Sequence, residues 1–225
     1  MRQTEAQLRV PVRILLDCSA SMSWGEPDKL GFARDLTLAL SRVGLARSDS
    51  VSITCLGHNN RRIGPVSGIR QFGPMEQFLN RTGPARKIDI NAEVQAALEQ
   101  RGPIRSNPGL VFLISDFLSV TDVDALLAVV RSASGSAVAL HVVSREEAEP
   151  DAIGDVDLVD AESGQIVEVG LSVDTIRHYR ERYESWRSGL QRKCGMQGIR
   201  YVQCTTERSI AEVVLSDLRA SRVIH

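Results

Sequence analysis

Short apolar runs alternate with stretches of helical period along this chain, and that alternation restricts the fold more than any other feature. Val12–Leu16, Ser50–Leu56, Leu110–Ser115, Ala137–Val143 and Ile199–Cys204 are aliphatic-rich and too short for helices, so they read as strands. Arg61–Val66 reads as a short antiparallel edge strand, because Pro65 lacks the amide a central strand would need. Between them lie the helices. Pro27 and Asp28 open one that reaches about Ala46, with Leu36, Ala39, Leu40 and Val43 on one face. A weaker one covers Gln71–Leu79, and Asn91 is expected to cap another running to about Gln100. Thr121 or Asp122 starts a helix through Arg131, and Ser209–Arg219 forms the last. From Ser172 a long helix repeats Ile176, Tyr179, Tyr183, Trp186 and Leu190 at steps of three and four, with Gly195 placed to end it. Residues 145–155 read as an acidic loop. Val156–Val159 and Gln165–Val169 flank a turn at Glu162-Ser-Gly164, the pattern of a β-hairpin appendage at about 155–170. Strands and helices in this order favour an α/β fold: a mostly parallel sheet covered on both faces. With 225 residues and no internal repeat, we expect a single domain over 1–225, burying roughly 70% of its unfolded surface.

The chemistry concentrates where the first strand ends. Asp17-Cys-Ser-Ala-Ser-Met22 follows the apolar run directly and sets one carboxylate and two hydroxyls, Asp17, Ser19 and Ser21, on one tight loop. Open α/β sheets place ligands just outside the carboxyl ends of their strands. Hard oxygen donors there suit Mg²⁺, which takes oxygen ligands at about 2.1 Å and keeps several waters; Mn²⁺ or Ca²⁺ would use the same donors. The plainer reading is that the serines cap the following turn. Asp116, at the end of Leu110–Ser115, reads on its own as a turn-forming residue. Cys18 reads as an inert strand-end thiol, His141 as a hydrogen-bonded core residue, and His58 with its polar neighbours as a solvated turn.

The Asp-x-Ser-x-Ser spacing resembles the metal-ion-dependent adhesion site of the von Willebrand factor A superfamily. The resemblance is wider than the loop. Asp17-Cys-Ser-Ala-Ser-Met22, Lys29-Leu30 at a helix start, Leu113-Ile-Ser-Asp-Phe117 and Asp160-Ala-Glu-Ser-Gly164 recur in this order in the bacterial domain-of-unknown-function family fifty-eight. Members of that family are often encoded beside MoxR-type AAA+ ATPases. The resemblance implies a Rossmann-like fold with six strands in the order 3-2-1-4-5-6, the third antiparallel. That order makes the strands ending in Asp17 and Asp116 neighbours. Two carboxylates about 6 Å apart repel by roughly 3 kcal/mol at an effective dielectric of ~20, and a divalent cation turns the repulsion into attraction. The resemblance further implies Ser19 and Ser21 as direct ligands and Asp17 and Asp116 as water-bridged ones, leaving a coordination position for a partner's carboxylate. It departs at one point: close relatives carry Gly-Thr-Asp-Leu where this chain has Lys87-Ile-Asp-Ile-Asn91, so Ile88 stands where the ligating threonine belongs. Asp89 or Asn91 are the candidates to substitute at the rim, and Thr82 lies far upstream.

The expected function is therefore a non-catalytic, metal-dependent protein-binding module, an adaptor for a MoxR-type AAA+ ATPase whose partner presents Asp or Glu. Two alternatives stand beside it. One is a scaffold that has lost metal because of Ile88. The other is an Mg²⁺-dependent hydrolase with Asp17 as nucleophile, although the second Asp such chemistry uses two residues later is here Ser19. No phosphate-cradling glycine motif or nucleophile elbow is present. The 27 basic and 28 acidic residues nearly cancel, which argues against nucleic acid. The start lacks a signal-peptide core, no apolar run approaches a membrane span, and Cys18, Cys55, Cys194 and Cys204 are scattered. A cytoplasmic protein with reduced thiols is the expectation.

Overall fold

Order in the sheet follows from which apolar runs are buried on both faces. The computed structural model describes residues 9–85, 88–99, 109–150, 154–159 and 165–218. The central strands β1 (Pro11–Asp17) and β4 (Leu110–Ser115) pair with each other in parallel. Outside them lie β2 (Ser50–Leu56) and β5 (Ser136–Val143), then β3 (Arg61–Val66) and β8 (Arg200–Thr205), giving the order β3-β2-β1-β4-β5-β8. Every pairing is parallel except that of β3 with β2, so the expected order holds, with β8 as the sixth strand. The remaining pair, β6 (Gly154–Val159) and β7 (Ile166–Leu171), forms the separate antiparallel hairpin. Its turn at Glu162-Ser-Gly164 lies outside the described residues, as do Lys87 and Gln100 and the end of the last helix.

Strand alternation sorts the core into two layers. Val12, Ile14 and Leu16 of β1 pack with α1 (Lys29–Ala46) and α2 (Phe72–Asn80). Leu15, Val111 and Leu113 face the other way, against α3 (Ile90–Glu99), α4 (Val123–Ser132) and α6 (Val173–Met196). Each fully buried aliphatic side chain of this kind contributes about 1.5–3 kcal/mol. Among the described residues no helix is long and apolar enough to cross a membrane. All four cysteines are free and buried. A hydrogen bond with Cys55 and burial push the Cys18 thiol far above its ordinary range, which suits an inert residue.

The helix boundaries follow their caps, with three corrections to the sequence reading. Asp28 accepts from the Gly31 amide at 2.7 Å, Asp122 from Ala125 at 3.0 Å and Ser172 from Thr175 at 3.1 Å. Asn91, however, is not a cap: α3 starts at Ile90, and Asp89 accepts from the Ala92 amide at 3.1 Å. Gly195 lies inside α6; the positive-φ glycine beyond its end is Gly198, whose φ of 66° a side chain would strain. Residues 145–148, read as loop, form the short helix α5 (Arg145–Ala148) through a capping box between Ser144 and Glu147. The Ser-x-x-Glu signal was present but sat beside an acidic run. The last helical segment begins with another capping box, Ser209 with Glu212, at α7 (Ile210–Glu212) and continues as a π turn to Leu218.

Candidate functional site

Because β1 and β4 are adjacent and parallel, they end side by side, and their following loops turn away over opposite faces. Asp17 closes β1 with its carboxylate fully buried. One oxygen accepts from the Ser19 amide at 2.8 Å; the other accepts from the Ser115 hydroxyl of β4 at 2.5 Å. Ser115 in turn accepts from the Phe117 amide at 2.9 Å. Asp116 is also buried, and its Oδ1 accepts from the Leu118 amide at 3.0 Å. Phe117 between them has φ 59°, a left-handed conformation that a bulky residue adopts only under constraint. This kink brings both amides back onto the site.

Four of the residues singled out from the sequence thus meet. The Ser19 hydroxyl caps nothing, although Ser19 stands at the N-cap of the Ala20–Ser23 3₁₀ turn; instead it lies 3.0 Å from the Ser21 hydroxyl. The neighbourhood of Asp116 is registered electrostatically. Burial first, and the Asp116 charge second, push the Asp17 carboxyl up to about 6.

Three further residues complete the cluster; the sequence reading noted Lys29 only as part of a recurring helix start and passed over Glu147 and Ser119. Lys29, the first residue of α1, is fully buried, and its ammonium donates to Asp116 Oδ2 at 2.7 Å and to Glu147 Oε1. Glu147 comes from α5, where the capping box fixes it; burial raises its carboxyl and the ammonium offsets that only in part. The Ser119 hydroxyl lies 3.5 Å from that of Ser21, joining the β1 and β4 loops. Lys29 carried a hint, since a lysine at a helix N-terminus opposes the helix dipole and needs a reason to be there.

The two rim candidates face other work. Asp89 caps α3, and Asn91 donates to the Asp122 carbonyl at 2.7 Å while accepting from Thr121, tying α3 to the loop before α4. Ile88 packs over Gly57, where an added Cβ would come within 2.7 Å of it. The Thr82 hydroxyl is committed to the Phe78 carbonyl at 3.1 Å. His58 is not merely solvated: its Nε2 lies 2.8 Å from the Gly83 carbonyl.

Behind the site, His141 is buried and its Nδ1 lies 2.6 Å from the Tyr201 hydroxyl. Its ring stands edge-on to Phe117 and Trp186, so the Tyr179, Tyr183 and Trp186 stripe of α6 runs on to His141, which lies within reach of the Asp116 charge. Burial lowers the His141 imidazole to about 4.

These donors fit a hard divalent cation in one particular way. Among the described residues, no group of three or more His, Cys, Asp or Glu side chains is arranged to hold a metal. Any direct ligation would therefore fall to the Ser19 and Ser21 hydroxyls. Each carboxylate oxygen of Asp17 and Asp116 already accepts at least one protein hydrogen bond, which leaves water-bridged contact as the role that disturbs them least. Counted as groups, three carboxyls, Asp17, Asp116 and Glu147, stand against one lysine here.

Comparison with known proteins agrees with this architecture. The family described as "Protein of unknown function DUF58" matches residues 1–189. The structure is similar to that of the conserved hypothetical protein BatB from Bacteroides thetaiotaomicron, with 19% identity and a TM-score of 0.59, covering 96% of this chain and 100% of that one. It is also similar to an aerotolerance-related membrane protein from Bacteroides fragilis, at 18% identity and TM-score 0.53 over 94% and 99% of the two chains. A von Willebrand factor type A protein from Catenulispora acidiphila aligns at 12% identity and TM-score 0.50, over 95% of this chain and 42% of that one. At these identities the likeness speaks for the fold, which is of the von Willebrand factor A type. No curated protein matches the sequence.

Proposed function

Given that the chain belongs to the DUF58 family, we propose that it is a non-catalytic binding module that grips a carboxylate of a partner protein through a divalent cation. One observation carries the reading: the Ser19 and Ser21 hydroxyls stand 3.0 Å apart beside two buried aspartates, in a cluster where three carboxyls face a single lysine. Ser19 and Ser21 would hold Mg²⁺ directly, and Asp17 and Asp116 would hold its waters. The bound ion supplies an electrophilic position that an incoming Asp or Glu completes. The rest is done by the chain itself. Ser115 and the Ser19 amide orient Asp17, Lys29 and the Leu118 amide orient Asp116, and the Phe117 kink keeps the two loops together.

Trp24 and Leu118 give the grip its surroundings. They are 58% and 52% exposed on the two loops that Ser21 and Ser119 join. An exposed tryptophan beside a charged site is the composition of an interface anchor. The partner we propose is a MoxR-type AAA+ ATPase or one of its clients, with this chain as adaptor; the support is the family resemblance. Thermal unfolding with and without Mg²⁺ tests the metal step. Saturation to about 100 times the dissociation constant adds ~2.7 kcal/mol, a rise of roughly 5–10 °C, and Ser19→Ala removes it. Co-purification with a co-expressed ATPase tests the partner; no association in Mg²⁺ counts against it, and Trp24→Ala should weaken any association found.

A metal-free scaffold is the second reading, favoured by the packed Ile88 and by the ammonium already resting on Asp116. Absence of any Mg²⁺ shift selects it.

A further inference from the structure

Lys29 does something that the proposed function does not require. A site proposed to take a cation already has one against it, supplied by the first residue of α1. Its ammonium is fully buried, and a buried ammonium is costly unless its partners are close and well aimed. Here it has two, Asp116 at 2.7 Å and Glu147, which reach it from positions 87 and 118 residues away. Lys29 Nζ lies on one oxygen of Asp116 and the Leu118 amide on the other. Both oxygens of Asp116 thus already have a partner, and a metal approaching Asp116 directly would compete with the buried ion pair on one or with the Leu118 amide on the other.

We propose that Lys29 is a tethered cation that sets the metal affinity of the site: it takes a share of the carboxylate charge and confines Asp116 to water-bridged contact. The inference rests on the metal reading above and specifies which residue governs it. Two consequences have opposite signs. Without the ammonium, the site holds a divalent ion more tightly, because one competing positive charge is gone and Asp116 can ligate. The same change neutralises the ion more completely, so an incoming carboxylate is gripped less. Glu147 works in the reverse sense, because it adds negative charge to the cluster and anchors the ammonium.

The test titrates Mg²⁺ alone into the full chain, by calorimetry, for the parent, Lys29→Met and Glu147→Gln. Methionine keeps the length of the stem and removes the charge. Lys29→Met should bind Mg²⁺ about tenfold more tightly than the parent, since it removes the unit positive charge that pairs with Asp116. Glu147→Gln should bind it several-fold more weakly. In saturating Mg²⁺, glutamate as a soluble carboxylate probe should bind Lys29→Met more weakly than the parent. Equal or weaker Mg²⁺ binding by Lys29→Met overturns the inference and leaves the metal reading standing. A silent parent with a binding Lys29→Met does the opposite: the metal reading of the natural chain falls and the role of Lys29 is upheld. Silence in all three overturns both. Should Lys29→Met fail to fold without Mg²⁺, unchanged affinity in Glu147→Gln is the result that sinks the proposal.

Discussion

Ile14 and Phe112 sit opposite each other in the middle of β1 and β4; Asp17 and Ser115 sit together where the same two strands end. Both pairs are buried. In the middle, burial removes apolar surface from water and stabilises the fold. At the end, burial strips water from charge, and the cost shows in an Asp17 carboxyl pushed up to about 6 and an imidazole lowered to about 4. The strands hold the site in place, while the site takes back part of the stability the strands provide.

The largest effects should come from breaking either region outright. Phe112→Ala should cost about 3–5 kcal/mol in urea unfolding, irrespective of Mg²⁺. Lys29→Met should cost a similar 3–5 kcal/mol in metal-free buffer, because Asp116 and Glu147 are left buried and unpaired. Mg²⁺ should restore part of the second loss and none of the first. Equal rescue of both would erase the distinction.

Acid sharpens the comparison next. His141 binds its proton only near pH 4 when folded but near 6.5 when unfolded, so its neutral burial contributes about 3 kcal/mol above pH 6.5 that is lost as pH falls toward 4. Asp17 runs the other way. Its raised carboxyl costs stability above about pH 6, and the cost is relieved as pH falls from 6 toward 4. In the parent the two oppose each other. Asp17→Asn should uncover the His141 loss as a steady fall in stability from pH 6.5 to 4; a flat profile in that variant would contradict the assignment. At pH 7.5 without metal, Asp17→Asn should be more stable than the parent by roughly 1–3 kcal/mol and should no longer respond to Mg²⁺. The smallest effect belongs to the surface. Lys193 and Asp124 pair at 2.7 Å, both well exposed, and Lys193→Ala should change stability by only ~0.2–1 kcal/mol.

The fold was legible wherever a local period repeats. The bounds of β2, β3 and β4 fall where the apolar alternation begins and stops, and β1 extends by one residue at each end, to Pro11 and Asp17. The boundaries that slipped are ones in which two signals compete. Asn91 and Asp89 both suit a cap, and only Asp89 stands before the first helical residue. Gly195 and Gly198 both suit a helix end, and the helix finishes at Met196, just before the one with positive φ. The Ser144–Glu147 capping box was hidden within an acidic stretch that reads equally well as solvated loop.

For the site, adjacency in sequence made the difference. Asp17, Ser19 and Ser21 lie within one loop, so their spacing alone sets a carboxylate and two hydroxyls close together, and the chain determines that much by itself. Lys29, Glu147 and Ser119 join them only because parallel pairing of β1, β4 and β5 ends three distant loops at one edge of the sheet. No period or short motif encodes a contact across 87 or 118 residues; it exists once packing has removed the water between the partners. A lysine at that point in the chain could have been an ordinary solvated side chain. Tertiary structure decided that it is buried on Asp116, since an ammonium without water must find its counter-charges within the protein.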